Sequence, residues 1–224
     1  VNQALLSALT GQPVVVAAAA ADLLANADTV APAIASVMHR PGITLAQQWR
    51  VTQAIHKAGL DAELLDSLAS PEARTRAAAA KLCGALRLPE AVPWLSDLLL
   101  DPEESVRDAA ARALGRTGGR RAVGALMAAS DRFPAQRLAV DVAHAASDID
   151  LDGLLRTEHG HAAVVVALAC GLRADALRFP RLVAIARDAG VEAEVRAAAC
   201  RALGMIGDRA AAGVLRNLSS DVNQ

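Results

Sequence analysis

Aromatic side chains are nearly missing from this chain: among 224 residues there are two Trp, two Phe and no Tyr. A β-rich chain would draw on Val, Ile, Tyr and Phe, so that scarcity points away from sheets. Charge of one sign is missing too. The 23 basic and 24 acidic residues leave a formal net charge of -1. That balance gives no electrostatic reason to expect a polyanion partner, although a local basic patch stays open. Cysteine is scarce. Cys83, Cys170 and Cys200 are too few and too far apart for a disulfide scaffold or a zinc knuckle, and an odd number is what a reducing, cytoplasmic compartment permits. Long apolar runs are absent as well. Val14 to Ala21 and Ala162 to Cys170 are far shorter than the roughly 20 residues a bilayer-crossing helix needs. Val1 to Ser7 has no basic start of the kind a secretory signal carries. The chain opens at Val1 in mid-pattern, so a segment of a longer protein is expected, and it could be the soluble part of a membrane-tethered one.

What is present is alanine, within a hydrophobic fraction of 54%. Alanine has the best helix propensity and lets two backbones approach closely. Composition therefore favours tightly packed helices joined by short turns, and the next question is repetition. Pro71 recurs as Pro102, Arg76 as Arg107, Lys81 as Arg112, Gly84 as Gly115, Val92 as Val123 and Leu95 as Leu126, a constant offset of 31 (102 − 71). A third copy contains Arg196, Arg201, Gly204, Gly213 and Leu215. It lies 89 residues beyond the second (196 − 107), close to three periods. Nine residues separate Gly84 from Pro93, Gly115 from Gly124, Gly171 from Pro180 and Gly204 from Gly213. Two residues further stand Leu95, Leu126, Leu182 and Leu215, and Pro32 with Ile34 fits the same slot.

Each unit reads as a helix, a turn and a second helix. Asp101 with Pro102 predicts an N-cap followed by Pro at the first helical position, with Glu104 closing a capping box. Ser70 and Pro71 repeat the first two signals. Gly115 is read as the left-handed residue that ends the first helix. The units fall at about 12–40, 41–70, 71–101, 102–131, 132–157, 158–190 and 191–220, within a single domain spanning 1–224. Residues 1–11 read as the remnant helix of a preceding unit. Two units fit poorly: 41–70 lacks the glycine and carries Trp49 and His56, and 132–157 lacks a turn glycine and shows only a short second helix near Leu151 to Arg156. The expected fold is all-α, a right-handed α-α superhelix (solenoid) of about seven hairpins.

Asp101 through Gly115 resembles the HEAT repeat of the bilin-lyase (PBS lyase) type, common in bacteria. Ala91 to Leu95 and Glu194 to Asp208 resemble the same pattern. The resemblance implies a HEAT-like superhelix whose second helices line a concave surface. It does not fix a function, because the family includes chromophore lyases, hydroxylases, DNA-repair enzymes and adaptors.

The candidate sites are then weighed against scaffold roles. The deoxyhypusine hydroxylase branch holds two irons through repeated His-Glu pairs, and here no His is followed by Glu. Glu158, His159 and His161 cluster, but residues two apart on one helix point apart, so a polar helix start is the better reading and no metal is assigned. The alkylpurine DNA glycosylases of this architecture need aromatics and a basic groove. Trp49, Trp94, Phe133 and Phe179 are too dispersed for that. Cys83 and Cys170 occupy positions where other copies place leucine, and they read as core. Arg76, Arg107, Arg137 and Arg196 recur near the start of the first helix, where a cation opposes the helix dipole. They are read as a structural ladder bonded to carboxylates or carbonyls. Lys81, Arg112 and Arg201 form a second row, placed on the outer face in solvent.

The remaining surface carries the functional expectation. Trp94, Asp97, Met127, Arg216 and Asn217 occupy non-core positions of second helices, and Arg116, Arg120 and Arg121 crowd one turn. Trp and Arg are enriched in binding hot spots. The sequence therefore reads as a non-catalytic protein-protein interaction scaffold, a segment of a larger bacterial protein. It would hold another protein or a peptide segment, with no cofactor and no nucleic acid. The alternative is a bilin-lyase-like chromophore-handling protein or enzyme.

Overall fold

In the computed structural model the described residues are 13–38, 44, 53, 55–57, 59–174, 176–207 and 216, and no strand occurs among them. The backbone clusters into two compact units, 1–118 and 119–224. The first holds α1 (Pro13–Ala25), α2 (Ala27–Met38), α3 (Leu60–Ser67), α4 (Ala73–Leu86), α5 (Val92–Leu98) and α6 (Glu104–Thr117). The second holds α7 (Arg120–Ala128), α8 (Ala135–Ala145), α9 (Asp148–Thr157), α10 (Gly160–Leu172), α11 (Phe179–Arg187) and α12 (Ala193–Ile206).

The repeat register becomes a burial register. In α6 the buried positions include Val106, Ala109, Ala110, Ala113 and Leu114; in α12 they are Val195, Ala198, Ala199, Ala202 and Leu203. Both sets follow the i, i+3, i+4, i+7, i+8 spacing of one apolar stripe on a helix. Most of these side chains are alanine, so the helices meet at short range. Within the first unit α4 packs along α6, and within the second α10 packs along both α8 and α12. Helix α2 packs along α4 in the same way, although Pro32 and Ile34 sit at second-helix spacing. Successive second helices within a unit barely touch.

Two of the recurrent glycines, Gly84 and Gly171, explain the close row, and not as the sequence suggests. Gly84 and Gly115 are buried inside α4 and α6 rather than ending them. The left-handed turn after α4 is made by Arg87 (φ 53°), and α6 ends at Gly118 (φ 71°). A Cβ added to Gly84 would stand 2.5 Å from Ala113 Cα, and one added to Gly171 would stand 2.7 Å from Ala202 Cα. These glycines serve close helix-helix approach. The close row therefore runs through α2, α4 and α6 in the first unit and through α8, α10 and α12 in the second.

The helix starts are also corrected. Helix α6 begins at Glu104, two residues later than a cap at Asp101 would require, and Asp101 Oδ1 instead accepts the Glu103 backbone N–H at 2.9 Å. A true capping box stands at Ser147 and Asp150, at the start of α9. That cap gives α9 ten residues, longer than the sequence implies. Ala146 ends α8 in extended conformation (φ -78°, ψ 137°), so this turn requires no glycine.

Candidate functional site

The arginine row comes first because it is the most repeated polar feature. Arg76 donates to Asp101 through Nε (2.7 Å) and Nη2 (2.9 Å), and its Nη1 reaches the carbonyls of Ser70 and Pro71, both at 2.9 Å. Arg107 makes the same two carbonyl bonds one repeat later, to Asp101 and Pro102, each at 2.8 Å. The guanidinium fork thus ties the start of its own helix to the turn before it. Asp101 is held below the ordinary carboxylate range, chiefly by the Arg76 hydrogen bond. Arg137 pairs with Asp141 on its own helix, and the Nε of Arg196 is buried without a partner.

One clamp was not legible from the repeat. Arg178, fully buried ahead of α11, donates Nη2 to the Asp148 carbonyl at 2.8 Å and places Nε 3.0 Å from Asp152 as an ion pair. It belongs to no repeated row, so no spacing announced it.

The cysteines lie in the core. Cys83 and Cys170 are wholly buried, and burial pushes their thiols up to about 12 and about 11. At neutral pH neither supplies a thiolate. Cys200 is half-buried, its thiol also raised by burial.

Glu158 and His159 line a pocket of about 240 Å³ at the starts of α10 and α12, together with Arg156, Arg181 and Glu192. His161 turns its ring to the Phe133 carbonyl at 3.0 Å. Among the described residues no three donors are grouped to hold a metal ion. His56 pairs with Asp61 at 2.6 Å, and that hydrogen bond raises its pKa.

The residues expected to meet a partner are scattered. Trp94 is 47% exposed on α5, near exposed Asp97. Met127 is buried: it lies one turn beyond Val123, on the core stripe of α7, which corrects its non-core placement. Arg120 and Arg121 are exposed at the start of α7. Arg120 lines an open groove of about 480 Å³ between α7 and α9, with Val123, Ile149, Leu154 and Arg156. Ile149 there is 83% exposed. Arg216 is exposed, while Trp49 and Asn217 lie outside the described residues. Arg116, in the first unit, lines a cleft with Lys81 and Arg112. Those two were expected in solvent, and their side chains are 34% and 52% exposed.

Among the described residues no helix is long and apolar enough to cross a membrane. Residues 62–145 match HEAT repeats, and residues 195–221 match the PBS lyase HEAT-like repeat. Comparison with curated proteins returns no match. Human deoxyhypusine hydroxylase, solved in complex with glycerol, is 19% identical with a TM-score of 0.35, over 87% of this chain and 91% of that one. By these two stretches the chain carries HEAT-like repeats, those of residues 195–221 of the PBS lyase type.

Proposed function

We propose that the chain is a non-catalytic scaffold that holds a protein or peptide partner. The observation that carries this reading is the open groove between α7 and α9. There an almost fully exposed isoleucine, Ile149, shares the lining with the cations Arg120 and Arg156 and the carboxylate Asp150. An exposed apolar anchor among charged side chains has the composition of a protein-docking surface. Exposed Trp94 and Asp97 offer a second contact on the first unit. In this reading Arg76, Arg107, Arg137 and Arg196 serve the scaffold, and the buried thiols fill its core. Three free cysteines suit a reducing compartment, and in this reading the work is done in a bacterial cytoplasm.

The test is crosslinking and affinity capture from the source cell with the wild-type chain and an Arg120→Glu/Arg121→Glu variant. Loss of a specifically captured protein, with thermal stability nearly unchanged, is the expected result. Equal capture by both would remove the groove from the reading. A coloured ligand that co-purifies, or tight binding of a tetrapyrrole, would favour the bilin-lyase-like alternative.

A further inference from the structure

Helix α9 is fastened differently from the helix it packs on. Of its ten residues only Leu151 and Leu155 are buried, whereas α10, against which it lies, buries every residue from Val164 to Gly171. Its other side borders the open groove, where Ile149, Asp150, Gly153 and Leu154 form one wall. Polar bonds take up the task that apolar area leaves undone. Arg173 donates Nη1 to the Ala146 carbonyl at 2.8 Å and Nη2 to Asp148 at 2.6 Å. Arg178 donates Nη2 to the Asp148 carbonyl at 2.8 Å, stands 3.5 Å from the Asp148 carboxylate and pairs with Asp152 at 3.0 Å. One arginine follows the end of α10 and the other precedes α11, so two side chains from outside α9 clasp its first half.

We propose that α9 is a detachable wall of this groove, which opens as one piece ahead of α10 and α12 when the clasp of Arg173 and Arg178 lets go. The energetics of the two kinds of contact differ. A leucine that leaves its seat loses its burial and gains nothing in return. A guanidinium that leaves regains its hydration, so a buried ion pair resists opening less than its short distances suggest. Arg178 is 1% exposed, while Asp148 and Asp152 are 58% and 44% exposed. Water already reaches the acids, and the arginine is the dry member. Release of α9 therefore hydrates Arg178 and uncovers only two leucines. Segments with few buried apolar contacts open locally, well below the cost of global unfolding. The consequence rests on the groove being the docking surface: the clasp then regulates its width, and Ile149 travels with the wall.

The test is hydrogen exchange, read by mass spectrometry on the folded full chain at neutral pH with no partner present. Interior amides of α9 should be protected at least about tenfold less than those of α10 and α12. Asp148→Asn/Asp152→Asn should lower the protection of α9 about tenfold further, the scale of a lost hydrogen bond to a charged group, and leave α10 and α12 unchanged. Arg173→Gln, which keeps the sequence of α9 intact, should act in the same direction and so separates the clasp from the helix's own propensity. If the double variant does not fold by circular dichroism, Arg173→Gln carries the comparison alone. Protection of α9 equal to that of α10 and α12, unchanged α9 exchange in the folded variants, or a loss shared equally by α10 and α12 would each overturn the proposal. None of these readouts involves capture of a partner. The docking reading can therefore fail while the wall still opens, and the wall can prove rigid while docking stands.

Discussion

Asp101 receives Arg76 through two nitrogens, at 2.7 and 2.9 Å, across 25 positions of chain, and the same carboxylate caps the Glu103 N–H. Its own carbonyl accepts Arg107 of the next repeat at 2.8 Å. One side chain therefore joins two successive turns of the stack. Both members of the pair are largely buried, at 14% and 5% exposure, so the bond is not a surface ornament.

Replacing that carboxylate should be costly. Asp101→Asn leaves Arg76 with its two carbonyl bonds but no counter-charge, and a loss of about 2–4 kcal/mol is expected, toward the lower part of the range for breaking a buried pair. The pH dependence has a definite sign. The folded-state pKa of Asp101 is lowered, so its stabilisation is complete above the unfolded value near 3.9 and disappears as pH falls through the folded one. Urea midpoints of wild type and variant should differ by a constant amount from pH 7 down to about 5 and converge in more acid solution. A gap that persisted at the lowest pH would mean that the charge is not what stabilises.

Two glycines of adjacent repeats should respond oppositely to the same change. Gly84→Ala places a methyl 2.5 Å from Ala113 Cα, and overpacking of this kind costs about 1–3 kcal/mol. Gly124, inside α7, has nothing within 4 Å of its added Cβ. There alanine should stabilise by about 0.5–1 kcal/mol, through backbone entropy alone. Paired thermal melts decide this, and a stabilised Gly84→Ala would contradict the close-approach account.

Thiol labelling separates the cysteines. Cys200 should react first with a disulfide reagent at pH 8, while Cys83 and Cys170, wholly buried and with raised pKa values, should react only as the chain unfolds. Their labelling rate should follow denaturant concentration. Rapid native-state modification of Cys83 would refute the core assignment.

Much of the fold was readable because repetition amplifies weak signals. The 31-residue offset located the helices of 71–131, and burial then fell on the aliphatic positions that the offset aligned. What could not be read was the task of a glycine. One that ends a helix and one that lies within it look alike in a single sequence, so Gly115 reads as a terminator although it is buried inside α6, which ends at Gly118. The row of Lys81 and Arg112 was visible in their shared offset, whereas the carboxylate that Lys81 meets, Asp28, lies 53 positions away and was not. Arg178 was illegible for the opposite reason. It occurs once, and its partners Asp148 and Asp152 precede it by a whole helix.

The gap at Gly84 acts at a distance from itself. It carries no charge and offers nothing to a ligand, yet the separation of Lys81 from Arg112 depends on how closely α6 can settle against α4. A methyl at that single position would push the two helices apart, together with every side chain they carry. The spacing of the exposed rows can therefore change through the packing seam while every exposed residue stays the same.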